Sequence, residues 1–382
     1  MSLQEIIMPN YPNIFTSQSK EFSQDAFIDW LLRCADPATE DDGLRTVGQS
    51  FIRLIVEKNN SLVSRLDAKN KNDHGHEIID PKFKISSSIA VRQHLRIDVL
   101  GKINGDYGIY IIFENKLGTS IHHEQPTTYR KNLRIDLDNK GRSGKGIIIG
   151  VYYKVLEETD YDEVEKKYHF CTLSRAQMRD FLADHVESNP IIQMYHDYLV
   201  DLDARIHDWR NFTVSEMLMK DRRGWAFWSG WFSELYQYLK PTIQDAEHAY
   251  IGWGWINNAD GGFHALWIGS WKENLPTVYL QCEEGALKAR MSGRRTGATM
   301  SDARDKLITA FHPRVDETRT IHMRPNAKSA EIGDLGPYVQ YGIDKKPSIP
   351  LTAQHILAVF RDMKTLTGAA PERQYFPGEQ ED

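Results

Sequence analysis

A carboxylate and a lysine follow the most apolar segment of the chain, and a second carboxylate lies in the segment before it. The segment "IYIIF" (109–113) is followed at once by Glu114, Asn115 and Lys116, and Asp98 lies in the alternating segment before it. Because strand side chains repeat every two residues, Glu114 and Lys116 share one face of a strand. If the two segments pair through the turn "NGDYG", Asp98 and Glu114 converge at one edge of a sheet. Burying such charges is costly unless something is bound there, so we treat them as a candidate site.

These side chains have the chemistry of a divalent-cation site. The carboxylates of Asp98 and Glu114 and the backbone carbonyl of Asn115 are hard oxygen ligands, which suit Mg²⁺ or Mn²⁺. Mg²⁺ keeps several waters and so stays open to a phosphate. Such a metal lowers the pKa of a bound water and polarises a phosphodiester oxygen, while Lys116 would orient the nucleophile and offset developing negative charge. The predicted chemistry is metal-dependent hydrolysis of a phosphodiester bond.

An acid-x-lysine triplet alone carries little information, because the chain has several others in polar segments. Only Glu114 closes a long apolar segment and has a second acid in the segment before it. A structural alternative is an ion pair between Glu114 and Lys116 at the end of a strand, with Asp98 paired to Arg96.

Gln125 and Tyr129 form a second polar pair shortly after Lys116. They are four residues apart in a helix expected over about 121–134, so they share a face. An amide and a phenol there could hold a nucleic-acid phosphate, or brace the lysine and its water. The spacing alone is more typical of an ordinary half-buried helix face, and its value comes from its position.

The elements that must position these residues are helices and a sheet. A helix over 23–33 with Ser23 as N-cap is followed by a second over 46–59. Strand patterns run from about Ile85 to about residue 154, with Leu95, Ile97 and Val99 expected on one strand face. The order of helix, three strands, helix and strand implies that part of the sheet is parallel.

The second half of the chain has a different construction, since eight of the nine tryptophans lie beyond residue 200. An aromatic helix, a hairpin around "NADGG", two more strands and helices over 301–311 and 351–366 follow. We expect two domains, 1–206 and 207–382. The predicted fold class is α/β, a mixed sheet flanked by helices, with a C-terminal α+β domain.

The segments "RIDV", "FENK" and "HHEQPTTYRK" resemble the PD-(D/E)XK nuclease superfamily, in particular its branch with a Gln-x-x-x-Tyr element. The start of the chain is similar to a largely uncharacterised bacterial group of that superfamily, and the resemblance covers about residues 10–175. It implies a restriction-endonuclease-like fold, with Asp98 and Glu114 as metal ligands and Lys116 as the catalytic lysine. It also implies supporting roles for Gln125 and Tyr129.

One expected part of that pattern is not evident. Members of this branch often supply another glutamate from the helix before the sheet, and Glu57 is the nearest candidate. Its helical phase sets it away from Phe51 and Ile55, which favours a solvated position. Glu77 could serve only if its loop folds inward, and Gln49 would be a neutral replacement. Without this glutamate, the number of bound metals stays open. An alternative function also stays open, that of a nucleic-acid-binding or regulatory module without turnover.

A hydrolase of another class is a further alternative. Asp98 and Glu114 could form an acid and base pair, as in a glycosidase. Lys116 argues against this, because a nearby cation holds a carboxyl group in its ionised form.

Two other polar clusters give weaker evidence of a functional site. His122, His123 and Glu124 are adjacent, so on a helix they point apart, and we expect none as a metal ligand. The segment 141–146, "GRSGKG", precedes a strand and not a helix, so the P-loop mechanism does not apply.

Basic residues could offset the net charge of −6 near a nucleic acid. Those near the site are Arg96, Arg130, Lys131 and Arg134. In the second domain, a possible surface for single strands combines basic and aromatic groups. Its members are Lys288, Arg290, Arg294, Arg295, Trp253 and Trp255.

The composition and the cysteine pattern indicate the compartment and the kind of partner. Hydrophobic residues at 41% and the absence of any long apolar run predict no membrane segment, and we see no secretory signal. The three cysteines are scattered, which argues against disulfides and a zinc site and favours the cytoplasm. The expected partner is nucleic acid, with DNA favoured over RNA, and a homodimer would suit the cutting of two strands.

Overall fold

The structure, a computed structural model, describes most of the 382-residue chain. The described residues are 13, 15, 21–66, 77–105, 108–118, 121, 124–141, 146–157, 161–218, 225–247, 249–256, 262–270, 277–292, 329–335, 337–342 and 344–367. The chain divides into two compact units, the first reaching Asp203 and the second running from Ala204.

The first unit contains a five-stranded mixed sheet with helices on both faces. Its helices are α1 (Glu21–Cys34), α2 (Asp42–Arg65), α3 (Gln125–Asn139), α4 (Tyr161–Tyr168), α5 (Arg175–Ala183) and α6 (Pro190–His207). Its strands are β1 (Ser88–His94), β2 (Ile97–Ile103), β3 (Ile109–Lys116), β4 (Ile147–Lys154) and β5 (Cys171–Ser174). The strand order follows the chain, with β1, β2 and β3 antiparallel and β3, β4 and β5 parallel. This confirms the α/β class and the expected parallel part of the sheet.

Helices α1 and α2 cover one face of this sheet. They cross closely at Gly48, where an added Cβ would lie 2.4 Å from the backbone nitrogen of Ala35. Phe51 of α2 stacks on Phe113 of β3, with ring centroids 5.9 Å apart. The close crossing therefore allows α2 to pack against β3, the strand that carries the candidate site.

Helix α3 lies on the opposite face. Its buried residues Leu133 and Leu137 join Tyr110 and Ile112 of β3 in one apolar cluster. Since alternate residues of a strand share a face, Glu114 and Lys116 of β3 lie on this α3 side.

Several sequence-based details differ from the structure. Helix α1 begins at Glu21, so Ser23 lies inside it and is not its N-cap. Strand β2 begins at Ile97, whereas Leu95 and Arg96 form a two-residue turn between His94 and Ile97. Both turn residues have positive φ, 55° and 68°, as a type I′ hairpin requires. The alternation expected from Leu95 onward therefore holds only from Ile97.

The second unit is an antiparallel sheet packed on helices, as an α+β domain predicts. Its helices are α7 (Val214–Met217), α8 (Trp225–Pro241) and α9 (Ile349–Thr367), and a π-helical turn (Thr242–Ala246) follows α8. Its strands are β6 (Tyr250–Ile256), β7 (Phe263–Ser270), β8 (Thr277–Cys282), β9 (Leu287–Ser292) and β10 (Ser329–Asp334), in the order β10-β9-β8-β7-β6. The hairpin of β6 and β7 is confirmed. Most of its turn and the helix expected over 301–311 lie outside the described residues.

The expected basic and aromatic surface of this unit is wrong for its described members. Pairing across the sheet joins Lys288 to Gln281, and Gln281 to Trp267. Trp253 instead pairs with Leu266, which is buried in the core against α8 and α9. Lys288 therefore faces the side opposite to Trp253, and two strands separate β9 from β6. Arg294 and Arg295 lie outside the described residues.

Two other expectations concern the whole chain. None of the described helices combines the length and hydropathy that a membrane crossing needs. Cys34, Cys171 and Cys282 are all buried free thiols.

Candidate functional site

The pairing of β2 with β3 places the two carboxylates opposite each other. Val99 pairs with Phe113, so the next residues along, Asp98 and Glu114, face each other across the two strands on the α3 side. The ladder between the two strands ends at Val99 and Phe113, and the backbone N–H of Asn115 donates instead to Asp98 Oδ2 at 3.0 Å. The side chain of Asp98 thus takes the place of a backbone acceptor at the end of the ladder.

Asn115 links this edge to helix α1. In an antiparallel ladder a residue turns its N–H and its C=O to the same neighbour, so the carbonyl of Asn115 faces the same edge as Asp98. Its side chain points to the other face, where Nδ2 donates to Asp25 Oδ1 at 2.7 Å. Both residues are buried, Asp25 with 2% of its surface exposed.

Asp25 is a buried carboxylate that sequence reasoning missed. The candidates considered for a helix acid, Glu57 and Glu77, are both exposed. A usable signal existed, because Asp25 lies three and seven residues before Ile28 and Leu32, on the buried stripe of α1.

Glu114 and Lys116 form the ion pair that was one of the alternatives. Glu114 is 0% exposed and Lys116 is 7% exposed, and Lys116 Nζ lies 2.6 Å from Glu114 Oε1. Asp98 is half-buried, and Gln93 Nε2 also approaches its Oδ1 at 3.5 Å. A fully buried carboxylate and a nearly buried ammonium at a strand end interact in a low dielectric, where each charge is strongly felt.

Tyr129 of α3 reaches both acids. Its pKa is raised well above the ordinary value, first by burial, then by the negative charges of Glu114 and Asp98 and by hydrogen bonding to Glu114. The positive charge of Arg96 acts in the opposite direction on this pKa. The phenol is therefore protonated at neutral pH and serves as a hydrogen-bond donor.

Gln125 is the first residue of α3, one turn before Tyr129 on the same face. Its Oε1 is buried and has no hydrogen-bond partner in the part of the chain that the structure describes. The structure thus brings Tyr129 to the two acids, and it leaves an amide oxygen of Gln125 available on the same face.

Arg130 was expected to meet phosphate, and that expectation is wrong. Its guanidinium is buried and donates to the carbonyls of Ile148 and His169, each at 3.1 Å. It also lies 5.5 Å from the centre of the Phe170 ring. Arg130 joins α3 to the sheet and has no free face for a phosphate.

The other basic candidates differ from Arg130. Arg134 is half-buried and donates to the carbonyl of Gly146 at 3.2 Å, whereas Lys131 and Arg96 are exposed. His122 and His123 lie outside the described residues.

Lys154 is a second lysine at the site, and the sequence prediction passed over it. It closes β4 as Lys116 closes β3, and the two are paired in the parallel register. Tyr152 pairs with Glu114 in the same register, so Lys154 lies on the α3 side, and it is 2% exposed. The signal was present, because "IIIGVYYK" is an apolar strand that ends in lysine.

The donor set fits a hard divalent cation. Two carboxylates and a strand-end carbonyl supply oxygen ligands only, and a cation such as Mg²⁺ fills its remaining positions with water. Among the described residues, no group of three or more His, Cys, Asp or Glu side chains is arranged so that it could hold a metal ion. Such a site would therefore be open and hydrated, and would lack a full protein cage.

Comparison with known proteins gave no match among family models, curated proteins or solved structures. The resemblance to a nuclease superfamily stays a prediction from the sequence, and function has to be argued from the geometry.

Proposed function

We propose that this chain is a metal-dependent nuclease that hydrolyses phosphodiester bonds in DNA, with RNA as the less favoured substrate. The observation that carries the proposal is the pairing of β2 with β3, which sets Asp98 opposite Glu114 with Lys116 on the same face. The sheet, antiparallel at one side and parallel at the other with a helix crossing between β3 and β4, supports a restriction-endonuclease-like fold.

The reaction consumes one water. The water oxygen bonds to phosphorus, the bond from phosphorus to one nucleoside oxygen breaks, and that oxygen leaves with a proton. A bound Mg²⁺ or Mn²⁺ would supply Lewis acidity and a water of lowered pKa. Asp98, Glu114 and the carbonyl of Asn115 are the residues that would hold it.

Lys116 provides a fixed positive charge beside this centre. Its ammonium is buried and held 2.6 Å from Glu114, so it needs little reorganisation to face charge that develops on the phosphoryl oxygens. It also has donors with which to orient an attacking water.

Tyr129 acts as a donor and not as a base. Because its pKa is raised, the phenol holds its proton at neutral pH and can donate to Glu114 or to a phosphate oxygen. Gln125, one turn away, can fix a water or a phosphate through its amide.

The test is a cleavage assay on linear duplex, circular and single-stranded DNA and on RNA, with Mg²⁺ or Mn²⁺. Asp98→Asn, Glu114→Gln and Lys116→Met should each slow cleavage by about 100-fold or more. A matched control removes the ion pair between Asp136 and Lys140, which has the same 2.6 Å separation but is partly exposed, and it should leave the rate unchanged. Metal-dependent cleavage that survives both Glu114→Gln and Lys116→Met would reject the assignment.

The ion pair itself favours a second candidate, a nucleic-acid-binding or regulatory module without turnover. In that case Lys116 serves as the counter-ion of Glu114, and no cation is needed there. Titration calorimetry would then record DNA binding without cleavage and little heat on addition of Mg²⁺. Sedimentation of the same samples would test the expected homodimer.

A further inference from the structure

Lys116 and Lys154 end neighbouring parallel strands and pair in register. Such strands lie about 4.8 Å apart and their paired side chains project to the same face. We propose that Lys154 is a second cationic group of this site and binds the phosphate that is cleaved. This inference rests on the proposed nuclease function and adds a residue that neither the sequence pattern nor the E-x-K triplet contains.

Burial makes the position of Lys154 informative. Lysine is almost never fully buried unless it is paired with other polar or charged groups. Lys154 is 2% exposed, and it shares the α3 side with Glu114 and Lys116. The fold therefore buries two ammonium groups on the face that carries Glu114.

The charge balance of the site indicates a role for the ammonium group of Lys154. Asp98 and Glu114 carry two negative charges, and Lys116 and Lys154 carry two positive charges, so the four side chains sum to zero. A divalent cation held by the carboxylates raises the sum to two positive charges. A phosphodiester under attack by hydroxide carries two negative charges, so the four side chains and cation together match it. Without Lys154 one charge would be left unbalanced.

The positive charge of Lys154 has opposite effects on the binding of a cation and on the binding of a phosphate. Lys154 repels a cation near Asp98 and Glu114 and attracts a phosphate. At about 7 Å, even with the dielectric constant of water at about 80, one unit charge changes the affinity for a divalent ion about sevenfold. Removal of the charge should therefore tighten cation binding and weaken nucleic-acid binding. A residue that only supports the fold would not produce effects of opposite sign.

The experiment compares Lys154→Met and Lys154→Arg with wild type in the full chain. Calorimetry with Mn²⁺ should give at least about fivefold tighter binding for Lys154→Met. Binding of a DNA oligonucleotide in EDTA should be at least about fivefold weaker, with a salt slope reduced by about one. Cleavage should fall about 100-fold for Lys154→Met. Lys154→Arg keeps the positive charge, so both of its affinities should lie closer to those of wild type than the affinities of Lys154→Met do.

The matched control is Lys58→Met. Lys58 is a half-buried lysine of α2 whose Nζ donates to Gln177 Oε1 at 2.8 Å, and burial lowers its pKa. It lies outside the proposed site, so its removal should change neither Mn²⁺ nor oligonucleotide affinity. Lys154→Met that behaves like Lys58→Met, or that loses Mn²⁺ affinity together with stability, overturns the inference. If Lys154→Met does not fold, Lys154→Gln is measured in the same way and decides the question.

The outcomes separate this inference from the proposed function. Wild type that binds Mn²⁺ but cleaves nothing rejects the nuclease, while the opposed effects on Mn²⁺ and DNA still decide the role of Lys154. Wild type that cleaves, with Lys154→Met unchanged in both affinities, rejects the role of Lys154 alone. Wild type that binds no Mn²⁺ overturns both.

Discussion

Removing one partner of the buried ion pair between Glu114 and Lys116 separates the stability of the site from its chemistry. The two groups lie 2.6 Å apart and are shielded from water. A buried charge that loses its counter-ion destabilises a protein by about 3–5 kcal/mol, whereas replacing both charges by uncharged groups is often close to neutral. Glu114→Gln and Lys116→Met should each be destabilising, and the double variant should recover most of the loss.

The expected size follows from the burial of both groups. Each single variant should lower the free energy of unfolding by about 3 kcal/mol, and the double variant by less than about 2 kcal/mol. The double-mutant cycle then gives an interaction energy of at least about 4 kcal/mol in magnitude. For a unit of this size, reaching Asp203, each single variant should lower the melting temperature by about 6–12 °C.

Urea unfolding and calorimetry measure the cycle, and the cleavage assay runs on the same preparations. Cleavage should be lost in all three variants, since the double variant regains stability without regaining a carboxylate ligand. The pair of Asp136 and Lys140 on α3 is the control, and its partial exposure predicts an interaction energy below about 1 kcal/mol. Additive single effects, or a double variant that cleaves like wild type, would refute this reasoning.

Three further variants test the packing around the site. The raised pKa of Tyr129 means that the folded protein keeps a proton that the unfolded chain loses near pH 10, so stability is present below that pH and falls above it. Tyr129→Phe should reduce this fall by about 1.4 kcal/mol per pH unit in urea titrations between pH 10 and 11. Arg130→Met should cost about 2–4 kcal/mol by chemical denaturation, because two buried carbonyls lose their donor. Gly48→Ala should cost about 2 kcal/mol or more in thermal unfolding, since its Cβ would meet the backbone of Ala35 at 2.4 Å and backbone cannot yield easily.

Local periodicity was sufficient for the long elements of the first unit. Strands β2, β3 and β4 and helices α1 to α3 each have enough residues for an apolar pattern to repeat, and all appear near the expected places. The four-residue strand β5 and the short helix α4 were not foreseen, because a pattern of that length does not repeat. Strand β10 was also not foreseen, because its sequence, "SAEIGD", has no apolar alternation.

The turn between β1 and β2 shows a different limit. Sequence rules for two-residue hairpins rely on Asn or Gly, which adopt positive φ at little cost. Here Leu95 and Arg96 occupy those positions, with φ of 55° and 68°. Pairing of the flanking strands imposes the turn on residues that do not favour it, so local preference pointed to a continuous strand.

The residues of the candidate site also differ in how far the sequence alone could group them. Asp98, Glu114 and Lys116 could be grouped from the sequence because the two strands are joined by a short turn and pair next to each other. Lys154 also closes an apolar strand, but grouping it with the other three residues requires the parallel register of β4 with β3, which depends on a crossover through α3. Arg130 shows the converse, since a basic residue in a polar helix segment gives no sign that its side chain turns inward.

Asn115 explains why the site depends on elements remote in sequence. Its backbone N–H holds Asp98 at 3.0 Å on one edge of β3, while its side chain holds Asp25 of α1 at 2.7 Å on the far face. A buried amide that is held by a carboxylate has little freedom to rotate, so the packing of α1 fixes the end of β3 and, with it, the carbonyl that faces Asp98. The position of one candidate metal ligand, the carbonyl of Asn115, is thus set by a helix more than seventy residues earlier in the chain. The sequences of β2 and β3 alone do not show this dependence.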